Sequence, residues 1–251
     1  MTAIITLLTD FGTADGYVAE MKGALLSLAP GASVIDVTHD VPPHDVESGR
    51  LALARYWRRF PAGTVHVAVV DPGVGGARAA LAVSSEERWL VGPDNGLLSP
   101  ALLARSARTV ALALPRGAAP TFHGRDVFAP AAAALAQGTP LDTLGVDYPN
   151  PIVRRTPEPH RLEDGRVSGE VIAVDRFGNA VTNFVGARGG TVDVNGAALV
   201  VQRTYESAAP GSVMAVCGST GLIEIAVCEG SAAEQLGLGR GSRVLFRPAR
   251  H

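Results

Sequence analysis

The sequence has few cysteines and no long apolar run, and these shortages exclude several classes of protein. Cys217 and Cys228 are its two cysteines, and it contains no CxxC motif, so neither a disulfide framework nor a structural zinc site is expected. No stretch approaches the roughly 18 apolar residues that span a bilayer, and the opening residues, MTAIITLLTDF, lack the basic segment of a secretion signal. We therefore expect a cytoplasmic protein that holds no metal and has no membrane partner.

Charges of the two signs nearly balance. The chain carries 22 basic and 24 acidic residues, a formal net charge of -2, so no overall positive field would attract a nucleic acid. Apolar residues, in contrast, are plentiful. They make up 47% of the 251 residues, enough to bury the core of one large domain or two small ones. A small molecule is the expected partner, and nucleic acid is not.

The first 150 residues alternate short apolar runs with amphipathic segments, which is typical of a mostly parallel sheet flanked by helices. The predicted elements are strands 3–9, 34–37, 64–71, 80–84, 88–92 and 108–112 and helices 17–28, 46–60 and 126–137. The apolar positions expected to face the sheet are Val18, Met21, Leu25 and Leu28 in the first helix, and Leu51, Ala54 and Trp57 in the second.

A change of pattern near residue 150 predicts two domains. Four prolines in DYPNPIVRRTPEP can neither continue a helix nor lie in a central strand, so residues 151–164 are predicted to be a linker. After it, short β-like runs alternate with glycine turns. The sequence therefore predicts an α/β protein with an N-terminal α/β domain (1–150) and a smaller, barrel-like antiparallel β domain (165–251).

Acidic residues lie at or near the ends of several predicted strands. They are Asp10, Asp36, Asp71 and Asp94. Because ligands of an open parallel sheet bind at the carboxyl ends of its strands, these side chains are candidate binding groups. An aspartate before glycine or proline is also common in turns and helix caps, so each alone has a structural interpretation. Their recurrence is what suggests a site.

The loop VVDPGVGGAR, residues 69–78, is the most informative of these turns. Its glycines let backbone approach a ligand, but the pattern GxxxxGK[ST] is absent and GxGxxG does not follow strand 3–9 or strand 64–71. Arg78 can fold back toward Asp71, and the pair is either a structural ion pair or part of a site. His123, in TFHGRDVFAP, is expected to be exposed, where it either orients or deprotonates water or simply makes an ordinary loop hydrogen bond.

Two polar turns stand out in the second half. Asp175, Asn179 and Asn183 in VDRFGNAVTN can read a base edge or bind an ammonium group, although the same residues favour tight turns. GSTG at 218–221 offers N–H groups and hydroxyls suited to a carboxylate, which alone is a weak signal.

Seven motifs, taken in order, are similar to those of the S-adenosyl-L-methionine (SAM) hydroxide adenosyltransferases, SAM hydrolases related to bacterial fluorinase and chlorinase. They are TDFGTADGYV, VIDVTHDVPPHDVESG, VVDPGVGGAR, GPDNGLL, TFHGRDVFAPAAA, VDRFGNAVTN and GSTGLIEIAV. The resemblance implies homotrimers whose active sites form between one subunit's N-terminal domain and its neighbour's C-terminal domain. It also implies hydrolysis of SAM to adenosine and L-methionine, with SAM as the substrate and no cofactor.

The resemblance also implies roles for single residues. Asp71, Arg78 and His123 match the family's water-activating set and are the catalytic candidates. The substrate-binding candidates are Asp10 for the ribose diol, Asp15 and Asp175 for the methionine ammonium, Asn179 for adenine and Ser219 for the methionine carboxylate. The halogenating relatives have an aromatic residue in place of His44 and an arginine in place of Thr220.

Three alternatives remain open from the sequence. A SAM-dependent nucleoside halogenase would carry a tyrosine in place of Asp71 and a serine in place of Gly124, and an anionic Asp71 would repel halide. A non-catalytic SAM or adenosine sensor has no need of a water-activating set. A metal hydrolase would use Asp10, Asp15 and His39, but His39 and His44 fit no common zinc spacing and are interpreted as loop residues.

Overall fold

The computed structural model describes residues 2–185 and 189–249, except for the Ser207 side chain. Its chain divides into two compact units, Met1–Arg154 and Arg155–His251. The division falls inside the proline-rich segment 151–164. Part of that segment is nevertheless structured, because strand β8 (His160–Arg161) pairs with the start of the next strand. Its second half therefore belongs to the second unit rather than to a linker.

The first unit is a sheet with helices on both faces. Its strands are β1 (Ile4–Thr9), β2 (Ser33–Thr38), β3 (Val65–Val69), β4 (Ala80–Ser85), β5 (Arg88–Pro93), β6 (Arg108–Leu112) and β7 (Gly145–Asp147). Its α-helices are α1 (Tyr17–Leu28), α2 (Val46–Tyr56), α3 (Ser99–Leu102) and α4 (Ala129–Ala136). The strand order is β2-β1-β3-β5-β4-β6-β7.

Four neighbouring strands of this sheet, β2, β1, β3 and β5, run parallel, and the other pairings are antiparallel. Thr9 lies opposite Val69 in the β1–β3 pair, so the loops that carry Asp10 and Asp71 leave the sheet at the same edge. This is the edge at which ligands of parallel sheets bind. The topology thus places two of the candidate acids side by side.

The two faces of the sheet carry separate apolar cores. Met21 and Leu25 of α1 and the alanines of α4 pack on one face, and Leu53 and Trp57 pack on the other. The expected helix stripes are partly wrong. Leu28 is 48% exposed, Ala54 is exposed and Leu51 is half-buried.

In α2 the buried side is instead centred on Gly49, Arg50 and Leu53. A Cβ on Gly49 would lie 2.9 Å from Leu97 Cδ1, so α2 approaches the core closely at this point. Arg50 is buried beside it and forms an ion pair with Glu47 one turn earlier. The helical pattern of apolar residues missed this face because an arginine and a glycine occupy it.

The helix predicted at 126–137 starts earlier, and its beginning is not α-helical. Residues Gly124–Phe128 form a π-helical turn, in which Ala129 N–H donates to Gly124 O five residues back, and α4 follows directly. His123 is the residue before this turn. Its position depends on an element that apolar periodicity does not predict.

The second unit is a closed barrel of seven strands. Its strands after β8 are β9 (Val167–Val174), β10 (Ala180–Val185), β11 (Gly190–Val194), β12 (Ala197–Gln202), β13 (Val213–Cys217), β14 (Leu222–Val227) and β15 (Arg243–Pro248), with helix α5 (Ala232–Leu236) before the last. The order β10-β14-β13-β12-β11-β15-β9 closes through a β9–β10 pair. The barrel is not wholly antiparallel, because residues 203–212 cross over and let β12 and β13 pair in parallel.

The predicted fold class, a mostly parallel α/β unit followed by a barrel-like β unit, is confirmed. Within the residues that the structure describes, no helix has both the length and the apolar character needed to cross a membrane.

Candidate active site

The loop after β3 is shaped by its glycines. Gly75 has a φ of 75°, and a Cβ there would lie 2.4 Å from Pro120 O, so only glycine allows this approach. The contact brings the loop against the segment that leads into His123. Two sequence motifs that lie 45 residues apart are thereby joined at the sheet edge.

Asp71, Arg78 and His123 form one connected cluster. Arg78 Nε donates to Asp71 Oδ1 at 3.0 Å, and Arg78 Nη2 donates to Asp71 Oδ2, which makes the pair bidentate. Arg78 Nη2 also lies 2.9 Å from His123 Nδ1. The Asp71 and Arg78 side chains are only 5% and 10% exposed, so water screens their attraction little.

His123 is buried, 5% exposed, and the expectation of an exposed ring is wrong. Since a guanidinium only donates, His123 Nδ1 accepts from Arg78 and the neutral ring carries its proton on Nε2. Burial lowers the pKa of His123 and the charge of Arg78 lowers it further, against the opposing effect of Asp71 and Asp126. The neutral form is therefore the stable one at neutral pH.

Three aromatic rings contact one another on segments that carry candidate site residues. Phe11, Tyr17 and Phe122 meet edge to face, with centroids 5.5–6.0 Å apart, and each ring is within two residues of a candidate site residue. Gly124 lies against them, since a Cβ there would be 3.3 Å from Phe122 and 3.2 Å from Met21 Sδ. A larger residue at Gly124 requires these neighbours to move.

The other two candidates of the first unit lie on the loop after β1. Asp10 is half-buried, and its Oδ2 accepts a 2.8 Å hydrogen bond from the backbone N–H of His44. Asp15 is exposed, just before α1. The structure thus fixes the direction of Asp10 and leaves Asp15 at the surface.

His39 and His44 both lie in the loop between β2 and α2, as the sequence predicts, but their exposure differs. His44 is exposed, whereas His39 is 6% exposed, with Nδ1 2.8 Å from Thr9 Oγ1 and Nε2 3.1 Å from Asp36 Oδ1. Both ring nitrogens face protein atoms, which does not favour the metal-hydrolase alternative. Across residues 2–185 and 189–249, no group of three or more His, Cys, Asp or Glu is placed to hold a metal.

The turn after β5 has a structural function. Asp94 is 4% exposed and accepts from Tyr148 OH at 3.1 Å and from the N–H of Ile152 at 2.7 Å. Asn95 Nδ2 donates to Val70 O at 2.8 Å, at the residue before Asp71. Asn95 was not among the sequence candidates, because a turn asparagine has no distinctive signal by itself.

In the second unit, Asp175 and Asn179 enclose one turn. Asp175 Oδ1 accepts from the N–H groups of Phe177 and Asn179, both at 2.9 Å, and its Oδ2 accepts from Asn179 Nδ2 at 3.0 Å. Asn179 is 6% exposed, while the ring of Phe177 is 76% exposed at the tip. The carboxylate therefore shapes the turn that presents the asparagine and the aromatic ring.

Ser219 is exposed on the tight turn between β13 and β14, where Gly218 accepts from Gly221 N–H at 2.9 Å. Glu224 lies beneath this turn, 5% exposed, and a Cβ on Gly218 would be 1.9 Å from its Oε1. Tyr205 OH donates to Glu224 Oε2 at 3.0 Å, and burial together with this bond raises the pKa of Tyr205 to about 12. Sequence reasoning missed Glu224, although a single charge in the apolar run LIEIAV was the signal.

Known proteins match most or nearly all of this chain. Family models for the SAM hydroxide adenosyltransferase N-terminal and C-terminal domains match residues 5–145 and 169–245. An (R)-S-adenosyl-L-methionine hydrolase of Thermus thermophilus is 46% identical, over 96% of this chain and 98% of that relative. A fluorinase of Actinoplanes sp. is 30% identical, over 72% of this chain and 71% of that relative. The crystal structure of an uncharacterized conserved protein from Thermotoga maritima matches with a TM-score of 0.87 at 31% identity, over 97% of this chain and 99% of that chain.

Proposed function

This chain belongs to the SAM hydroxide adenosyltransferase family, and we propose that it hydrolyses SAM to adenosine and L-methionine with a water held by Asp71, Arg78 and His123. The observation that carries the proposal is the buried hydrogen-bonded cluster of these three side chains at the edge of the parallel sheet. Because the Thermus relative is named for the (R) compound, we extend the proposal to the (R) sulfonium epimer.

The leaving group of this reaction needs no protonation. The water oxygen forms a bond to ribose C5′ as the bond from C5′ to sulfur breaks, and the electron pair leaves with sulfur. The sulfonium cation becomes the neutral thioether of methionine, and one proton of the water passes to solvent. Since the leaving group needs no acid, the protein has to position the water and stabilise the hydroxide that forms when the water loses its proton.

The cluster has donors for this task. The bonds to Asp71 and His123 use the Nε and Nη2 hydrogens of Arg78, and they leave the two hydrogens of Nη1 for the water. His123 adds its Nε2–H. Both groups donate to the water oxygen and stabilise its hydroxide form, while Asp71 holds the guanidinium in place. His123 acts as a donor in this arrangement, because its acceptor nitrogen is occupied by Arg78.

The remaining candidates bind the parts of the substrate. Asp10 accepts the ribose hydroxyls, and Asn179 pairs with adenine. Asp15 and Asp175 attract the methionine ammonium, and Ser219 with its turn receives the methionine carboxylate. The active assembly is a homotrimer in which a site takes its catalytic cluster from one subunit and Asn179 and Ser219 from a neighbour.

The test uses single alanine variants of Asp71, Arg78 and His123. We expect each to lower adenosine release by roughly a hundredfold or more, the usual size of losing a catalytic donor or acid-base group, while calorimetry still detects SAM binding. Asp71→Asn controls for folding because it keeps the shape of the side chain. Equal loss of binding and turnover contradicts the catalytic assignment and makes the cluster a structural element or a general binding element.

The same assay, run with chloride or fluoride in isotopically labelled water, tests the halogenase alternative. Adenosine carrying label at its 5′ oxygen is the expected product, and a 5′-halogenated nucleoside as the main product contradicts the proposal. SAM that stays bound and unchanged for hours contradicts it in favour of a sensor. Two features support the hydrolase. An anionic Asp71 would repel halide, and a serine in place of Gly124 would require its neighbours to move.

A further inference from the structure

A chain of polar contacts links the molecular surface to the loop that carries Asp10. Lys22 Nζ donates to Asp36 Oδ2 at 2.6 Å, and Asp36 Oδ1 lies 3.1 Å from His39 Nε2. On the other side of the ring, His39 Nδ1 lies 2.8 Å from the hydroxyl of Thr9, which is fully buried at the end of β1. Thr9 immediately precedes Asp10. None of these contacts is used in the reaction described above.

Backbone hydrogen bonds hold the same two loops together. Gly12 N–H donates to His39 O at 2.8 Å, and Val41 N–H donates to Thr9 O at 3.4 Å. The N–H of Phe11 donates to Thr9 Oγ1 at 3.2 Å. Residues on both sides of Asp10 are therefore tied to the segment around His39.

His44 completes the arrangement. It has a φ of 67°, in the left-handed region that residues other than glycine seldom occupy, and its N–H donates to Asp10 Oδ2 at 2.8 Å. A strained conformation of this kind persists only where the surrounding structure imposes it. Here it aims a backbone donor at the carboxylate, so both the loop and the direction of Asp10 are fixed.

We propose that His39 is a positioning residue that sets the orientation of Asp10 through its hydrogen bond with Thr9. The inference rests on the proposed function, in which Asp10 accepts the ribose hydroxyls of SAM. Its specific claim is that the Nδ1 side of the ring matters for substrate binding, and that the Nε2 side, which faces Asp36, matters much less.

Protonation chemistry supports this division. Although partial burial acts to raise it, the pKa of Asp36 is lowered by its contacts with Lys22 and His39, so Asp36 is an anion. An anion beside Nε2 favours the ring proton there. Nδ1 then accepts from the Thr9 hydroxyl, and the oxygen of that hydroxyl remains an acceptor for Phe11 N–H. The hydroxyl is held from two directions, which fixes the end of β1.

The experiment compares two amide variants that each replace one side of the ring. In His39→Asn the amide stands where Nδ1 was, and in His39→Gln it stands where Nε2 was. We expect His39→Gln to raise KM for SAM about tenfold with kcat changed less than about twofold, the size of losing one hydrogen bond that orients a charged group. His39→Asn is expected to stay close to the wild-type KM. Asp142→Asn, at an exposed ion pair, is the surface control.

Thr9→Val gives an independent test because it keeps the shape and removes only the hydroxyl. It is expected to behave like His39→Gln, and Thr9→Ser to restore the wild-type KM. A SAM analogue without the 2′-hydroxyl adds a readout that plain destabilisation does not move. The increase in KM from SAM to this analogue is expected to be smaller in His39→Gln than in the wild type.

The possible failures are distinguishable. If the wild type releases no adenosine from SAM, the proposed function fails, and this inference fails with it. If the wild type is active and Asp10→Ala raises KM, but the two His39 amide variants behave alike, the positioning inference alone is overturned. A loss confined to kcat in His39→Gln overturns it as well.

Discussion

Arg78 joins a carboxylate and an imidazole through a single planar group. Its fork fits both oxygens of Asp71, and one nitrogen of the same fork reaches His123. A lysine offers one point charge and has no fixed plane, so it cannot hold both partners in these directions. The arrangement explains why arginine suits this position, independently of the high arginine content of the chain.

The protonation state of His123 gives the first prediction. Its pKa is lowered, so the ring is neutral at neutral pH and becomes charged only as the pH falls through that lowered value. Protonation of Nδ1 breaks the bond from Arg78 and places two cations side by side. We expect kcat/KM to be level near neutrality and to fall on the acid side, in initial rates measured between about pH 4.5 and 8.

His123→Gln tests which residue causes that fall. The glutamine amide keeps a donor near the position of Nε2 but does not titrate, so the variant is expected to retain some turnover and to lose the acid limb. His160→Gln, at an exposed histidine of the barrel unit, should keep the wild-type profile. An acid limb that persists unchanged in His123→Gln would show that another group titrates.

At the scale of elements, the turn after β5 contacts and stabilises the catalytic loop, residues 69–78, which carries Asp71 and Arg78. Asn95 Oδ1 accepts from Leu97 N–H at 3.1 Å, while its Nδ2 holds Val70 O, directly before Asp71. We expect Asn95→Ala to lower the free energy of unfolding by about 1–3 kcal/mol, the cost of leaving a buried carbonyl without its donor. Because the freed carbonyl belongs to the catalytic loop, kcat should fall more than SAM affinity.

Denaturant unfolding and steady-state kinetics on the same preparation measure both effects. Asn150→Ala, an exposed asparagine of the same unit, is the matched control and should change neither. If Asn95→Ala is destabilised but keeps its kcat, the turn supports the fold without positioning Asp71.

Elements with a strong local pattern were predictable from the sequence. Helix α1 has the predicted bounds, because its apolar stripe begins directly after a left-handed glycine, Gly16. The short helices α3 and α5, four and five residues long, were missed because so few residues show no helical period. The π-helical turn was missed for a different reason, since it interrupts the period that the prediction follows.

The site was predictable where motifs carry it and not where distant contacts do. Asp71, Arg78 and His123 each lie in a distinctive motif, and the structure brings them together. Asn95 and Glu224 act on partners 25 and 19 residues away, and no local pattern reports such contacts. The burial of His39 likewise depends on β1 and β2 pairing, which the loop sequence alone does not express.

At the scale of the whole molecule, the proposed homotrimer predicts complementation between inactive variants. His123→Ala removes a proposed catalytic side chain from the first unit, and Asn179→Ala removes the proposed adenine contact from the second. If each site combines units of two neighbouring subunits, trimers assembled at random from equal amounts of the two variants contain about one quarter intact sites.

Mixed and reassembled protein should therefore recover about one quarter of the wild-type adenosine release, while each variant alone stays inactive. Mixing without subunit exchange provides the control. No recovery, in preparations that native mass spectrometry shows to be mixed, would mean that each site is built within one subunit.

The π-helical turn at Gly124–Phe128 makes chain length itself a determinant at this point. Deleting one residue from it would restore α-helical spacing and rotate the preceding residue by about 100° around the helix axis, carrying the His123 ring away from Arg78. A substitution keeps the number of residues in this turn, whereas the deletion of one residue does not. In this enzyme, the position of the His123 ring therefore depends on the number of residues between Phe122 and Ala129 as well as on the identity of the histidine.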